Sequence, residues 1–365
     1  MELLDVTLRE GEQRAGHSYT VEQKVAAART LDDLGVDYVQ VGFPVADERT
    51  ARVCERVDLD AKTTGIARAV ERDVAAAAES GVDVIDLFAP TSDRQRERVL
   101  GSSRPELVET VREAHGRARE TGREVHFTAM DGFRTDPAFL NELRAELEPT
   151  RFTVADTVGS NTPRTVTETL EALDCDLSTV GVHFHDDLGV ATGNALAAAA
   201  CGVGKVDVSV AGLGERAGNT PLEELLVSGS VGGEAFETGV DLAALLPAVE
   251  SVLDTLEEDV DPQKPLLGEG VFEHESGLHT AAMLDDPATF EPFDPVQFGG
   301  ERRLLFGAAS GRGAATRLLE RAGTEPTESL VEELLARLHE RETEATLDEA
   351  VEMAEAVAAE EQATE

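Results

Sequence analysis

Eight times between residue 1 and about residue 228, a short β-rich run gives way to a longer stretch whose apolar residues recur at helical spacing. The runs fall at 3–8, 38–43, 63–67, 84–89, 125–129, 152–155, 180–184 and 206–210. Ala-, Leu- and Glu-rich segments such as 21–34, 73–80 and 194–201 lie between them. Gly35, Gly81, Gly122 and Gly202 each stand just past such a segment, where helices commonly end on a left-handed residue. Parallel strands need a crossover of a dozen or more residues, most often an α-helix. The alternation therefore predicts an α/β chain built as a closed (β/α)8 TIM barrel, with an open doubly wound sheet as the alternative that pattern alone allows. After about residue 229 the alternation stops. A helix is expected over 242–256, an irregular Gly-, Pro- and Phe-rich stretch over 261–313, and helices around 330–338 and 347–357, the last with a frayed end.

The charge balance narrows the partners. With 73 Asp and Glu against 32 Lys and Arg, the formal net charge is −41, which excludes a basic footprint for nucleic acid or for an anionic membrane surface. The surplus is spread along the chain, as expected for a surface adapted to high salt in a haloarchaeal-like cytoplasm, where carboxylate repulsion is screened. A hydrophobic content of 41% is too high for a disordered acidic polymer. No run of about 18 apolar residues offers a membrane span, and no signal-peptide pattern precedes the first strand. Cys54, Cys175 and Cys201 have no CxxC spacing and fit a reducing cytoplasm.

Chemistry on such a barrel gathers where strands end and the following loops begin. Strand one runs into Arg9-Glu10-Gly11-Glu12-Gln13, strand seven carries His183-Phe184-His185-Asp186-Asp187, and strand eight leads to GLGERAGN at 212–219. These three strands are neighbours once an eight-stranded barrel closes. His183 and His185, two residues apart on a strand, point the same way. With Glu10 from the adjacent strand they form a two-histidine, one-carboxylate metal site with open positions, to which Asn219 adds a neutral oxygen. Asp186 or Asp187 is expected to hold the second nitrogen of a ligand histidine. An HxH pair alone reads as readily as two hydrogen-bonded histidines; the surrounding acids and the Arg-Glu pair favour the metal. Gln13, Arg68, Arg134 and Thr157 are loop-end candidates for substrate contacts, each also readable as structural.

Together these motifs resemble the isopropylmalate, homocitrate and citramalate synthases. Leu8-Arg9-Glu10-Gly11-x-Gln13 followed by Lys24 is similar to their first signature, and the run from Val180 to Gly193 through HxHDD to the second. GLGERAGN and HESGLH at 274–279 follow in the expected order, so the resemblance covers about residues 1–320. It implies a metal-dependent acyltransferase barrel, usually a homodimer, that condenses acetyl-CoA with a 2-oxo acid and releases CoA. The divalent ion is Mg, Mn or Zn, with Mg or Mn favoured. Arg9 would stabilise the developing oxyanion, and His279 and Glu215 complete the catalytic candidates. The expected organisation is a catalytic barrel over 1–230, a subdomain over 231–320 that completes the site, and a helical subdomain over 321–365, without a C-terminal regulatory domain.

Two positions depart from the family pattern. Met130 stands where the resemblance implies a catalytic glutamate, and Phe290 where it implies a tyrosine. Proton transfer rerouted through Asp131 or water, a different substrate, or a weakened or repurposed paralogue would each account for them; a related carbon–carbon lyase is a further alternative. Substrate signals divide as well. Arg9-Glu10-Gly11 and Pro44-Val45-Ala46 lean toward homocitrate synthases, Gly42-Phe43-Pro44 and Gly65-Ile66-Ala67-Arg68 toward isopropylmalate synthases.

Overall fold

A computed structural model of the chain describes residues 1–233 and 236–364. It contains two compact units, Met1–Asp259 and Val260–Glu365. In the first, eight parallel strands close into a barrel in chain order: β1 (Glu2–Asp5), β2 (Tyr38–Gly42), β3 (Lys62–Arg68), β4 (Val84–Pro90), β5 (Glu124–Met130), β6 (Arg151–Asp156), β7 (Val180–Phe184) and β8 (Lys205–Val208). Closure comes from β1 pairing with β8, Leu4 beside Asp207. The (β/α)8 expectation holds, and the open sheet is excluded.

Local chemistry explains the helix limits. Helix Val21–Leu34 begins in a capping box, in which Thr20 Oγ1 accepts from Gln23 N–H and Gln23 Oε1 accepts from Thr20 N–H. It ends at Gly35, whose φ of 98° a side chain would resist. Its buried face, Val25, Ala28 and Leu31 among others, lies at the spacing that marked it in the sequence. Strand β1 is shorter than the sequence pattern suggests. The Asp5 carboxylate accepts from both Thr7 N–H and Thr7 Oγ1–H, each at 3.0 Å, and so turns the chain into a helical turn, Thr7–Glu10.

The interior is not a stack of aliphatic layers of the usual kind. Gln40, Thr64, Asp86, Thr153, Lys205 and Asp207 are all buried along the strands. Helix Leu245–Leu256 packs against helix Val21–Leu34, so the first unit continues beyond the boundary expected near residue 230.

The second unit has its own core. Helices Arg312–Arg321, Glu328–His339 and Leu347–Thr364 bury Leu318, Leu334, Leu338, Ala350, Ala354 and Val357 together with Phe306. The last helix extends past the expected frayed end, because its alanines at i, i+4 spacing supply a narrow packed stripe while its acids face outward. A two-strand parallel pair, Glu273–His274 with Arg303–Leu304, and helix Gly277–Met283 organise the stretch expected to be irregular. Among the described residues, no helix is long and apolar enough to cross a membrane.

Candidate active site

The turn after β1 aims Arg9 and Glu10 into the barrel mouth. Arg9 Nε donates to Gln40 Oε1 at 2.6 Å, and its guanidinium bonds Glu10 Oε1. Glu10 is 1% exposed. Burial pushes its carboxyl up, but the charges of Arg9, His183 and His185 outweigh that, and the net direction is downward, so the carboxylate stays ionised. Its other oxygen, Oε2, is buried with no hydrogen-bond partner among the described residues.

His183 and His185 face the same space from the end of β7, with ring centroids 5.1 Å apart. His183 Nε2 lies 3.6 Å from Glu10 Oε1. One donor atom from each of Glu10, His183 and His185 falls within 4.8 Å of the others, a set that could hold a metal ion. Burial, and then the neighbouring His183, lower the His185 pKa to about 3, which keeps the imidazole neutral and available as a ligand. On the far side of His183, Nδ1 meets Asp207 Oδ2 at 3.1 Å, and Asp207 Oδ1 lies 2.8 Å from Lys205 Nζ. Asp207, rather than Asp186 or Asp187, therefore meets the second nitrogen of His183. Asp186 accepts from Ala191 N–H at the start of helix Ala191–Ala200, and Asp187 takes Arg216 in a two-pronged pair.

The loop after β8 delivers Asn219. Its amide nitrogen donates to Phe184 O and sits 3.2 Å from His183 Nε2, while Oδ1 is buried without a partner among the described residues. The glycines of GLGERAGN make this possible. A Cβ on Gly214 would stand 2.0 Å from Asn219 Oδ1, and one on Gly218, at φ 91°, would stand 2.0 Å from Gly212 O.

A cavity of about 220 Å³ opens beside these groups. It is lined by Arg9, Glu10, Gln13, Thr157, His183, His185 and Glu215 of the residues singled out from the sequence, and by Met130. Arg68 and Arg134 are not in its lining. Asp73 binds Arg68 through two nitrogens, and Asp131 does the same to Arg134. Glu215 pairs with Arg216 at 3.1 Å. His279, in the second unit, stacks on Phe290 at 4.0 Å between ring centres.

The sequence reading missed Gln40, Asp86, Phe88, Thr128 and Asp207, all of which line the cavity. The available signal was strand alternation: Asp86 with Phe88, and Thr128 with Met130, are i, i+2 pairs sharing one face.

A parallel (β/α)8 barrel with two histidines, a carboxylate and an arginine gathered at its mouth defines a barrel enzyme with a candidate mononuclear metal centre. More particularly, the chain belongs to the HMGL-like family, which matches residues 1–252; the homocitrate synthase post-HMGL domain-like family matches residues 266–346. The chain is 38% identical over 346 residues to a homocitrate synthase of Methanopyrus kandleri, covering 92% of this chain and 86% of that one. It is 36% identical over 332 residues to a 2-isopropylmalate synthase of Methanocaldococcus jannaschii, covering 88% and 64%. Among solved structures, the hydroxymethylglutaryl-CoA lyase of Pseudomonas aeruginosa aligns with a TM-score of 0.63 at 25% identity, over 71% of this chain and 93% of that one.

Proposed function

We propose that this chain condenses acetyl-CoA with a 2-oxo acid and releases CoA. The observation that carries the reading is the trio Glu10, His183 and His185, whose ligand atoms lie within 4.8 Å of one another beside a cavity, with Glu10 Oε2 and His185 Nδ1 buried without hydrogen-bond partners among the described residues. Polar atoms buried without partners are costly unless a ligand completes them, and this mixed oxygen and nitrogen set, free of thiolate, fits a divalent ion such as Mg or Mn, with Zn as the alternative. Similarity to synthases over about nine-tenths of the chain supports the same reading.

When bound, the ion would polarise the keto group of the 2-oxo acid as a Lewis acid. The chain's own residues supply the rest. Gln40 holds the Arg9 guanidinium beside Glu10, so that its positive charge is fixed before negative charge develops on the substrate oxygen. Asp207 holds His183 by Nδ1 and thereby presents Nε2 toward Glu10. Glu215, at the cavity, and His279 are the candidates for moving protons. Arg68 and Arg134 must leave their aspartates to touch substrate, whereas Gln13 and Thr157 already line the cavity. The reading places the protein in the cytoplasm, consistent with three free cysteines among the described residues, and as a homodimer.

A free-thiol assay for CoA release in multimolar KCl with Mn2+ or Mg2+, run with 2-oxoglutarate, 2-oxoisovalerate and pyruvate, tests it. Metal-dependent CoA release is expected with at least one of these acids; bound metal without turnover on any of them would refute it. Met130 in the cavity lining favours one second reading, a weakened paralogue. That reading requires Met130→Glu to raise turnover, and it fails if the substitution leaves turnover unchanged or lowers it.

A further inference from the structure

The cavity has two unlike walls. The β1, β7 and β8 side carries Arg9, Glu10, His183 and His185. In a closed barrel of eight strands β4 lies opposite β8, so β3 to β5 form the facing wall. That wall presents Ile66, Phe88 and Met130, and at the level of Ile66 a carboxylate, Asp86. Asp86 is 3% exposed, and its Oδ1 accepts from Thr128 Oγ1 at 2.9 Å.

Among the described residues, no cation from this wall lines the cavity. Arg68, at the end of β3, is turned to Asp73 through Nε and a terminal nitrogen, at 2.6 and 3.0 Å, and Arg134 is clamped by Asp131. His126, beside Asp86 in register, gives Nε2 to Glu124 at 2.9 Å. None of the three lines the cavity. A ligand fixed by its carboxylate and keto oxygen near Glu10, His183 and His185 extends its side chain toward β3–β5. A second carboxylate there would meet three apolar side chains and a buried like charge, with no partner to offset the loss of water. An uncharged side chain would meet Ile66, Phe88 and Met130 at no such cost.

We infer that Asp86 is a specificity residue: the β3–β5 wall accepts 2-oxo acids with uncharged side chains and rejects those carrying a second carboxylate. The inference rests on the reading that a 2-oxo acid binds by its head at Glu10, His183 and His185, but not on the later condensation. Asp86→Asn keeps the size of the side chain and an oxygen for Thr128 while removing the charge.

The experiment compares 2-oxoglutarate with 2-oxohexanoate, of similar length but with an uncharged side chain, and with 2-oxoisovalerate. Binding to Mn2+-loaded full-length protein is measured by calorimetry without acetyl-CoA, and kcat/KM by CoA release. The wild-type chain is expected to favour the acids with uncharged side chains at least tenfold, and Asp86→Asn to shrink that preference at least fivefold through the dissociation constant of 2-oxoglutarate. A merely structural role for Asp86 would weaken all three acids alike, and that result overturns the inference. So does a wild-type preference for 2-oxoglutarate, which needs no variant and is decisive even if Asp86→Asn fails to fold. Selective binding of the acids with uncharged side chains without CoA release would sink the synthase reading and leave this one standing. Binding of none of the three overturns both.

Discussion

Removing the Asp207 carboxylate separates two jobs that the structure assigns to one side chain. Asp207 Oδ2 stands 3.1 Å from His183 Nδ1, and Oδ1 stands 2.8 Å from the ammonium of Lys205, which is fully buried. Asp207→Ala leaves that ammonium in the barrel core without its counter-charge, which typically costs about 3–5 kcal/mol, a large part of the ~5–15 kcal/mol that holds a domain folded. It also frees the ring of His183, and loss of such an orienting partner typically weakens metal affinity by roughly 10–100-fold. Asp207→Asn keeps an acceptor for Nδ1–H while losing the charge. Adding Lys205→Met to Asp207→Asn then removes the unpaired ammonium.

Stability is read by equilibrium urea unfolding in concentrated KCl, and affinity by calorimetric titration of Mn2+ into chelator-treated protein. The double variant should recover most of the stability that Asp207→Asn loses, and Asp207→Ala should bind Mn2+ most weakly of the set. A folded Asp207→Ala protein that binds Mn2+ as tightly as the wild type would refute the orienting role. A double variant no more stable than Asp207→Asn would refute the ion-pair argument.

Burial raises the Asp5 pKa to about 7 from 3.8, despite the two bonds from Thr7 that pull it down. The folded state thus holds the proton more tightly than the unfolded chain, and this contribution is full below about pH 4 and lost as pH rises through 7. Asp5→Asn should therefore gain on the order of 2–4 kcal/mol over wild type at pH 8 relative to pH 4; an equal difference at both pH values in urea unfolding would contradict it. Gly214→Ala drives a methyl into Asn219 Oδ1 without demanding an unusual φ, so it should cost about 1–3 kcal/mol and lower Mn2+ affinity at least tenfold. Gly116→Ala, on helix Arg104–Glu120 with open space around it, should instead stabilise by about 0.5–1 kcal/mol and leave Mn2+ affinity as it is; the opposite ranking in calorimetry and unfolding would sink the steric account.

The eightfold alternation, the glycine stops and the i, i+2 histidines were all legible from the chain alone, because each is a local pattern whose period or backbone geometry only one kind of element satisfies. The same is true of Glu10 and Asn219 as partners of His183 and His185: barrel closure in chain order makes strands one, seven and eight neighbours. What the sequence could not decide was how charges pair across the barrel. Asp186 and Asp187 follow the histidines in the chain, yet they serve a helix start and Arg216, and the carboxylate on His183 comes from β8. Arg68 and Arg134 read as loop-end candidates for substrate contacts until folding sets Asp73 and Asp131 against them. Asp86 reads as one of 73 acidic residues in the sequence, and only the barrel turns it inward to line the cavity that the metal-binding candidates also line. Local order follows from backbone and periodicity, which short segments carry within themselves. The pairing of charges depends on which strands face each other across a closed barrel, and that is a property of the tertiary structure alone.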